Sequence, residues 1–328
     1  MIMERLNYID GLKGFAIVSV ILLHAFPIQF LHKSFAFIHI WQAIPLFVFI
    51  SFLLIFYKMD ISSFREYYCW KRWKSLFRRI IYPFIFVEII IVFTLLYKRN
   101  WEGIIHLLFY GGIGKGSYYP YLYLQIWVVT PIIWWLLRKY RVVWVAFYFV
   151  IISVLLNFLF IDMPGRIYSC FFIRYLFMAI ISFMWYKNIK KNRVLVLFVL
   201  PMISIIYWVL LEAKIINLNH LVPDWESQQF PSFFFTYLFV YLFFMIYSKT
   251  SLFKLKSCFE WLGKNSYEIF LMQMLFFYFC PLNILCFNNS LFNRIVVYPC
   301  LALFGSIIPV YFYRKSLLFC KSHSATKK

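Results

Sequence analysis

Lys13 and His24 are the residues whose types and spacing most directly suggest chemistry. They stand eleven residues apart, three helical turns plus about 20°, so a helix carries both on one face, about 16 Å apart along its axis. The residues between them are largely apolar. That face would hold a cation near one membrane surface and an imidazole past the middle of the bilayer. Such an imidazole can act as a general base toward a hydroxyl, or briefly carry an acyl group. Ionisable groups inside spans are costly and point by default to function. A packing account stands beside it: His24 hydrogen-bonds a neighbouring helix and Lys13, next to Asp10, snorkels to the surface.

Glu88 is the next deep ionisable group, about eight residues into its own apolar run and so roughly 12 Å deep. It reads as an orienting partner for the imidazole, or as a structural carboxyl, protonated or paired with Arg174. Gln125 and Gln273 are neutral, and a hydrogen bond between helices accounts for each. A dense basic stretch (Lys71, Arg72, Lys74, Arg78, Arg79) runs into Pro83. Its charges suit phosphate oxygens, with attraction to anionic lipid as the competing account. The seven Cys are scattered, with no CxxC and no His/Cys cluster at ligand spacing. Neither a metal site nor a disulfide framework is expected. GxxxxGK[ST] and HExxH are absent too.

Membrane helices must position these groups. Hydrophobic residues make up 64% of the 328-residue chain and charged residues 14%, with a mean hydropathy of +0.79. A soluble fold of this size has too little core to hide so much apolar surface. Apolar runs of bilayer length lie near 12–31, 40–57, 80–97, 120–137, 142–161, 167–186, 194–211, 232–248, 266–287 and 295–313. They are continuously apolar rather than alternating, which favours helices over a barrel. The expected fold is all-α: a polytopic membrane protein of about ten transmembrane helices, one domain over 1–328. The first run is not a cleaved signal peptide, because Asp10 and Lys13 stand at its start and no small-residue cleavage site follows.

The net charge of +21 raises the question of an acidic partner. Between alternate runs, twenty-five of the 33 Lys and Arg fall on one side and seven on the other, with Arg174 inside a run. This bias predicts both termini in the cytoplasm. The charge then reports orientation among membrane lipids, and no nucleic-acid partner is needed. The external segments are 98–120, with Gly111, Gly112, Gly114 and Gly116, and 212–231, with Glu212, Asp224 and Glu226. Aromatic residues near span ends, such as Tyr118, Tyr119 and Tyr121, read as an interfacial belt.

Asp10-Gly11-Leu12-Lys13-Gly14 followed by His24 resembles the opening of the membrane acyltransferase 3 family, with its Asp-Gly-Leu-Arg/Lys-Gly mouth and basic-x10-His spacing. The segment Pro45 to Leu54, with Ser51, looks like that family's Phe-rich Ser-Gly-Phe-Leu stretch. The basic loop before Pro83 looks like its paired-arginine loop. Tyr121 to Trp127, with Gln125, is similar to an aromatic segment opening a middle span. Ser266-Tyr267 through Gln273 is similar to a late Ser-Tyr-x-Ile-Tyr-Leu-x-His. Lys13, Phe52 and Gln273 depart from the pattern, standing where Arg, Gly and His are commoner.

The resemblance implies an integral-membrane O-acyltransferase in a bacterial inner membrane. It would move an acyl group, often acetyl, from cytoplasmic acyl-CoA to a hydroxyl of a cell-surface or exported polysaccharide or a lipid-linked sugar. His24 becomes the general base or acyl carrier, with Glu88 beside it. Lys13, Arg72, Lys74, Arg78 and Arg79 hold the donor's phosphates, and Asp10, Ser51, Gln125, Tyr267 and Gln273 support. Acetyl-CoA is the expected donor, without a metal. A flippase or transporter of lipid-linked sugars is the alternative. It would need a polar path through both halves of the chain, yet intramembrane polar groups concentrate early, at His24, Glu88 and Gln125. A glycan polymerase would need an external loop rich in Arg and His, and 212–231 offers His220.

Overall fold

The computed structural model describes the backbone of residues 2–109, 111–159, 169–188, 194–213, 215, 230–249, 253–282 and 290–325. Asp224, Glu226, His220 and the flanking charges Arg166, Lys190, Lys191, Arg193 and Lys214 lie outside them. Among the described residues the chain is almost wholly helical and forms no strand. The principal helices are α1 (Ile2–Ala25), α2 (Ala43–Asp60), α3 (Tyr82–Tyr97), α4 (Tyr119–Lys139), α5 (Val142–Leu159) and α6 (Leu176–Asn188). They continue with α7 (Val194–Glu212), α8 (Phe234–Lys249), α9 (Phe253–Lys264), α10 (Ser266–Phe279) and α11 (Tyr298–Ala325).

Among the described residues, six stretches are long and apolar enough to cross a bilayer: Asn7–Ala25, Ala36–Asp60, Trp70–Tyr97, Tyr119–Lys139, Pro231–Lys249 and Asn293–Leu317. This is an all-α membrane protein. The other four expected spans coincide with α5, α6, α7 and α10. Of these, α6 and α10 have 13 and 14 residues, about 20 Å at 1.5 Å per residue and short of a ~30 Å core.

Prolines explain where the expected boundaries shift. The first helix covers 2–25 rather than 12–31, because Pro27 sits extended at φ −61° and ψ 142° and stops it. Asp10 and Lys13 therefore lie within the helix, not at its mouth. Helix α10 ends at Phe279 because Cys280 precedes Pro281 and takes φ −123° and ψ 60°. The interval 249–265, expected as a loop, instead contains α9.

Helix α1 is the centre, packing on α2, α8, α9, α10 and α11. Its contact with α9 is backbone against backbone. A Cβ on Gly14 would stand 2.0 Å from the Phe259 carbonyl oxygen, and one on Gly263 would stand 1.7 Å from that of Asp10. Both glycines are there because no side chain fits. One buried cluster joins α2 to α4, α6 and α8; a second joins α1 to α3, α10 and α11. Phe86 and Phe93 on α3, Tyr148 on α5 and Phe198 on α7 are exposed. Such an apolar exterior suits lipid tails.

Three more prolines shape the helices. Phe77–Ile81 and Asn293–Val297 are π-helical turns leading into α3 and α11. Each is followed by Tyr-Pro, at Tyr82-Pro83 and Tyr298-Pro299. A proline ring clashes with the carbonyl four residues earlier and offers it no hydrogen bond, and a widened turn relieves that clash. Within α4, Pro131 deprives the Trp127 carbonyl of its intrahelical donor. The buried Tyr67 hydroxyl donates to that carbonyl at 3.2 Å, and the Tyr68 hydroxyl donates to the Val128 carbonyl at 2.5 Å. These two bonds moor the basic segment to the broken helix.

Candidate active site

A cavity of about 780 Å³ runs beside α1. Six cations line it: Lys13, Lys58, Arg78, Arg79, Lys264 and Arg314. They come from five places in the chain and meet at the Lys13 end of α1. Gly263, next to Lys264, touches the Asp10 backbone. Lys58 has Lys13, Arg72 and Arg79 within electrostatic reach. The carboxylate in this wall, Glu268, accepts a hydrogen bond from Arg314. Lys13 donates to Asp10 at 3.0 Å, one turn back on the same helix. The Tyr267 hydroxyl donates to the Ile80 carbonyl at 2.6 Å, fixing the arginine-bearing π turn to α10.

His24 lies in the last turn of α1, half-buried, with its ring edge-on to Phe277 at 5.9 Å. The loop after residue 110 covers it. Gly116 has φ +88°, and a Cβ there would stand 3.0 Å from the Phe270 ring and 3.8 Å from His24 Nε2. Lys115 donates from Nζ to the His24 carbonyl at 2.9 Å, capping an orphan carbonyl of α1. Loss of water around this ammonium lowers its pKa below the ordinary lysine value. The Glu88 carboxylate accepts from the Ile113 N–H at 3.3 Å. It also lies so close to Gly112, φ +95°, that a Cβ there would come within 2.6 Å of Oε1. Between the two ends the wall is apolar (Val20, Leu23, Phe47, Ile50, Leu54) but for Ser51 and tyrosines of the α4 start.

The cavity thus brings together Lys13, His24, Ser51, Arg78, Arg79 and Tyr267 from the residues singled out in the sequence. The rest stand elsewhere. Arg72 donates to Ser62 at 3.3 Å and lies over the Tyr67 ring, and Lys74 is exposed on the helix Trp70–Leu76. Glu88 is outside the wall and reaches the His24 end by way of the glycine loop, so the expected direct pairing with the imidazole gives way to an indirect one. Gln125 staples α4 to the next segment, donating to the Cys170 carbonyl at 2.8 Å and accepting from the Phe172 N–H at 3.2 Å. Gln273 is fully buried outside the wall, and its amide makes no hydrogen bond among the described residues.

Lys58, Lys264 and Arg314 escaped the sequence reading because each looks like an ordinary orientation charge at a span end. Their assignment to one membrane side was the available signal. Tyr119, by sequence, reads as one more residue of the aromatic belt. Among the described residues no group of three His, Cys, Asp or Glu could hold a metal. The arrangement suits a long molecule with an anionic end. The cations would hold that end, the apolar shaft would pass its arm, and its far end would meet an imidazole about 16 Å along the helix. A family model described as an acyltransferase domain matches residues 6–314. No curated protein and no solved structure matches the chain.

Proposed function

Because the chain belongs to the acyltransferase 3 family, whose domain spans residues 6–314, it is a membrane acyltransferase, and we propose that it O-acylates a glycan. The donor is cytoplasmic acyl-CoA, acetyl-CoA in the simplest case. The acceptor is a hydroxyl of a cell-surface or exported polysaccharide, or of a lipid-linked sugar. The membrane is the bacterial inner membrane, with both chain termini on the cytoplasmic side. One observation carries this reading: a single cavity joins six cations to His24 along one face of α1.

The residues fit such a donor. Guanidinium and ammonium groups at the Lys13 end meet its phosphates, and the shaft takes the thioester arm toward His24. The charge count puts all six cations on the side assigned to the cytoplasm. The imidazole takes the proton of the acceptor hydroxyl as its oxygen attacks the thioester carbonyl carbon, and returns that proton to the departing CoA thiolate. In the variant route the acyl group rests first on the imidazole. Glu88 and Lys115 hold the glycine loop over His24 and so act as positioning residues. Arg72 and Lys74 raise the local concentration of an anionic donor without touching it.

Deletion of the gene followed by mass analysis of surface glycans tests the proposal. Loss of one acyl group per repeat, restored by wild type and not by His24→Ala, is the expected result. Full restoration by His24→Ala would sink the mechanism. Loss of the glycan altogether would favour a flippase.

A further inference from the structure

Tyr119 opens α4 and lines the cavity together with His24 and Ser51. Its ring is wedged among Phe47, Tyr123 and Phe270, with centroids 5.7, 6.4 and 6.0 Å away. Its backbone N–H donates to the Gly116 carbonyl at 2.9 Å, which sets it one turn from the glycine that flanks the imidazole. The hydroxyl stands 3.4 Å from Ser51 Oγ. Ser51 has given its own proton to the Phe47 carbonyl at 2.7 Å. Tyr119 must therefore be the donor in that pair. A bond of 3.4 Å lies beyond the usual range for O–H···O, so a better acceptor in the shaft would displace it.

Tyr267 donates to the Ile80 carbonyl. Tyr123, one turn further along α4, lies within the electrostatic reach of Arg79 at the cationic end. Tyr118 is buried within reach of Arg174, Tyr175 and Cys170. Tyr119 thus holds its hydroxyl proton on a long, weak bond on the same cavity wall as His24.

We infer that the Tyr119 hydroxyl is the hydrogen-bond donor to the thioester carbonyl oxygen, and so the stabiliser of the oxyanion formed during acyl transfer. The inference rests on the acyl-CoA reading above. When the acceptor oxygen attacks the carbonyl carbon, the C=O π pair moves onto the carbonyl oxygen. Tyr119 shares its proton with that oxygen and keeps it. The pair then returns, the C–S bond breaks, and CoA leaves as the thiol with the proton held by His24. A preorganised donor aimed at developing charge in a water-poor site is worth more there than in water. Ser51 holds the hydroxyl in place until the carbonyl arrives.

The test uses the full-length protein in membranes of its own gene-deleted cells, which supply the acceptor, with radiolabelled acetyl-CoA as the probe. Label entering glycan is read for wild type, His24→Ala and Tyr119→Phe at several donor concentrations. Tyr119→Phe keeps the ring and its packing. The expected result is a maximal rate lower by about 10²–10³-fold, the loss typical of one oxyanion donor. The half-saturating donor concentration and the thermal midpoint should stay unchanged. A wild-type rate in Tyr119→Phe overturns the inference. So does a slower rate explained by weaker donor binding or a lower midpoint. If wild type itself transfers no label, the acyl-CoA reading fails first, and the two failures are told apart.

Discussion

Phe77–Ile81 and Asn293–Val297 are both five-residue π turns, both place an arginine five residues before a proline, and both hand over to a long apolar helix at a Tyr-Pro step. The first presents Arg78 and Arg79 to the cavity, whereas Arg294 of the second stands outside its wall. The difference comes from the neighbours. At the first turn Tyr267 grips the Ile80 carbonyl, and Tyr67 moors the preceding segment on the carbonyl freed by Pro131. At the second, Tyr298 donates to the Cys280 carbonyl at 3.1 Å, which ties α11 to the end of α10. A local proline dictates the shape of the turn, and the tertiary surroundings decide whether that shape meets a ligand.

The largest expected effect separates the two turns directly. Arg78→Ala/Arg79→Ala should raise the half-saturating concentration of acetyl-CoA by about 10²-fold or more, since each charge-assisted bond is worth about 1.5–3 kcal/mol. Arg294→Ala should leave it unchanged. Equal effects would erase the distinction. Pro83→Ala should come next. With the clash gone, the turn tightens toward α-helix and re-aims both arginines. Binding should weaken by about tenfold, within the range that a 1 Å misplacement can cost. Pro299→Ala should move the thermal midpoint and spare donor binding.

Tyr67→Phe probes the mooring of the segment before the first turn. It leaves the Trp127 carbonyl without its donor, at a cost of about 1–3 kcal/mol. Limited proteolysis should then cut the segment before Arg78 faster than in wild type, with the rest of the chain unaffected. The smallest effect is ionic. Raising salt from 0.1 to 1 M shortens the screening length from about 10 to about 3 Å. Donor binding should weaken severalfold in wild type and stay nearly flat in the double arginine variant. A salt response that persists in that variant would shift the credit to Lys13, Lys58, Lys264 and Arg314.

The sequence carried much of this where one helix decides the outcome. The eleven-residue interval from Lys13 to His24 needs only the period of α1 to put both on one face, and both line the cavity. Pro27 and Pro281 mark the ends of α1 and α10 in the letters, because a proline stops a helix even inside an apolar run. Contacts between distant segments were not legible. Glu88 looks like a partner for His24 by depth alone, and only the fold reveals the glycine loop between them. Lys264 joins the cluster because α9 lies against α1, and an amphipathic helix between two spans reads as a charged loop when only apolar runs are scanned. The Tyr-Pro steps of the two turns were visible in the letters. Their likeness is local and needs no duplicated half of the chain.

The contact between Gly14 and Gly263 has a consequence for biogenesis. A chain made from its N-terminus threads α1 into the membrane first, while the helix that seats against it emerges after most of the protein has been made. Until then the backbone groove beside Gly14 lies open, and the cationic mouth lacks Lys264 and Arg314. Chains that stop before α9 therefore lack both the glycine contacts that seat α1 and two of the six cations that line the cavity.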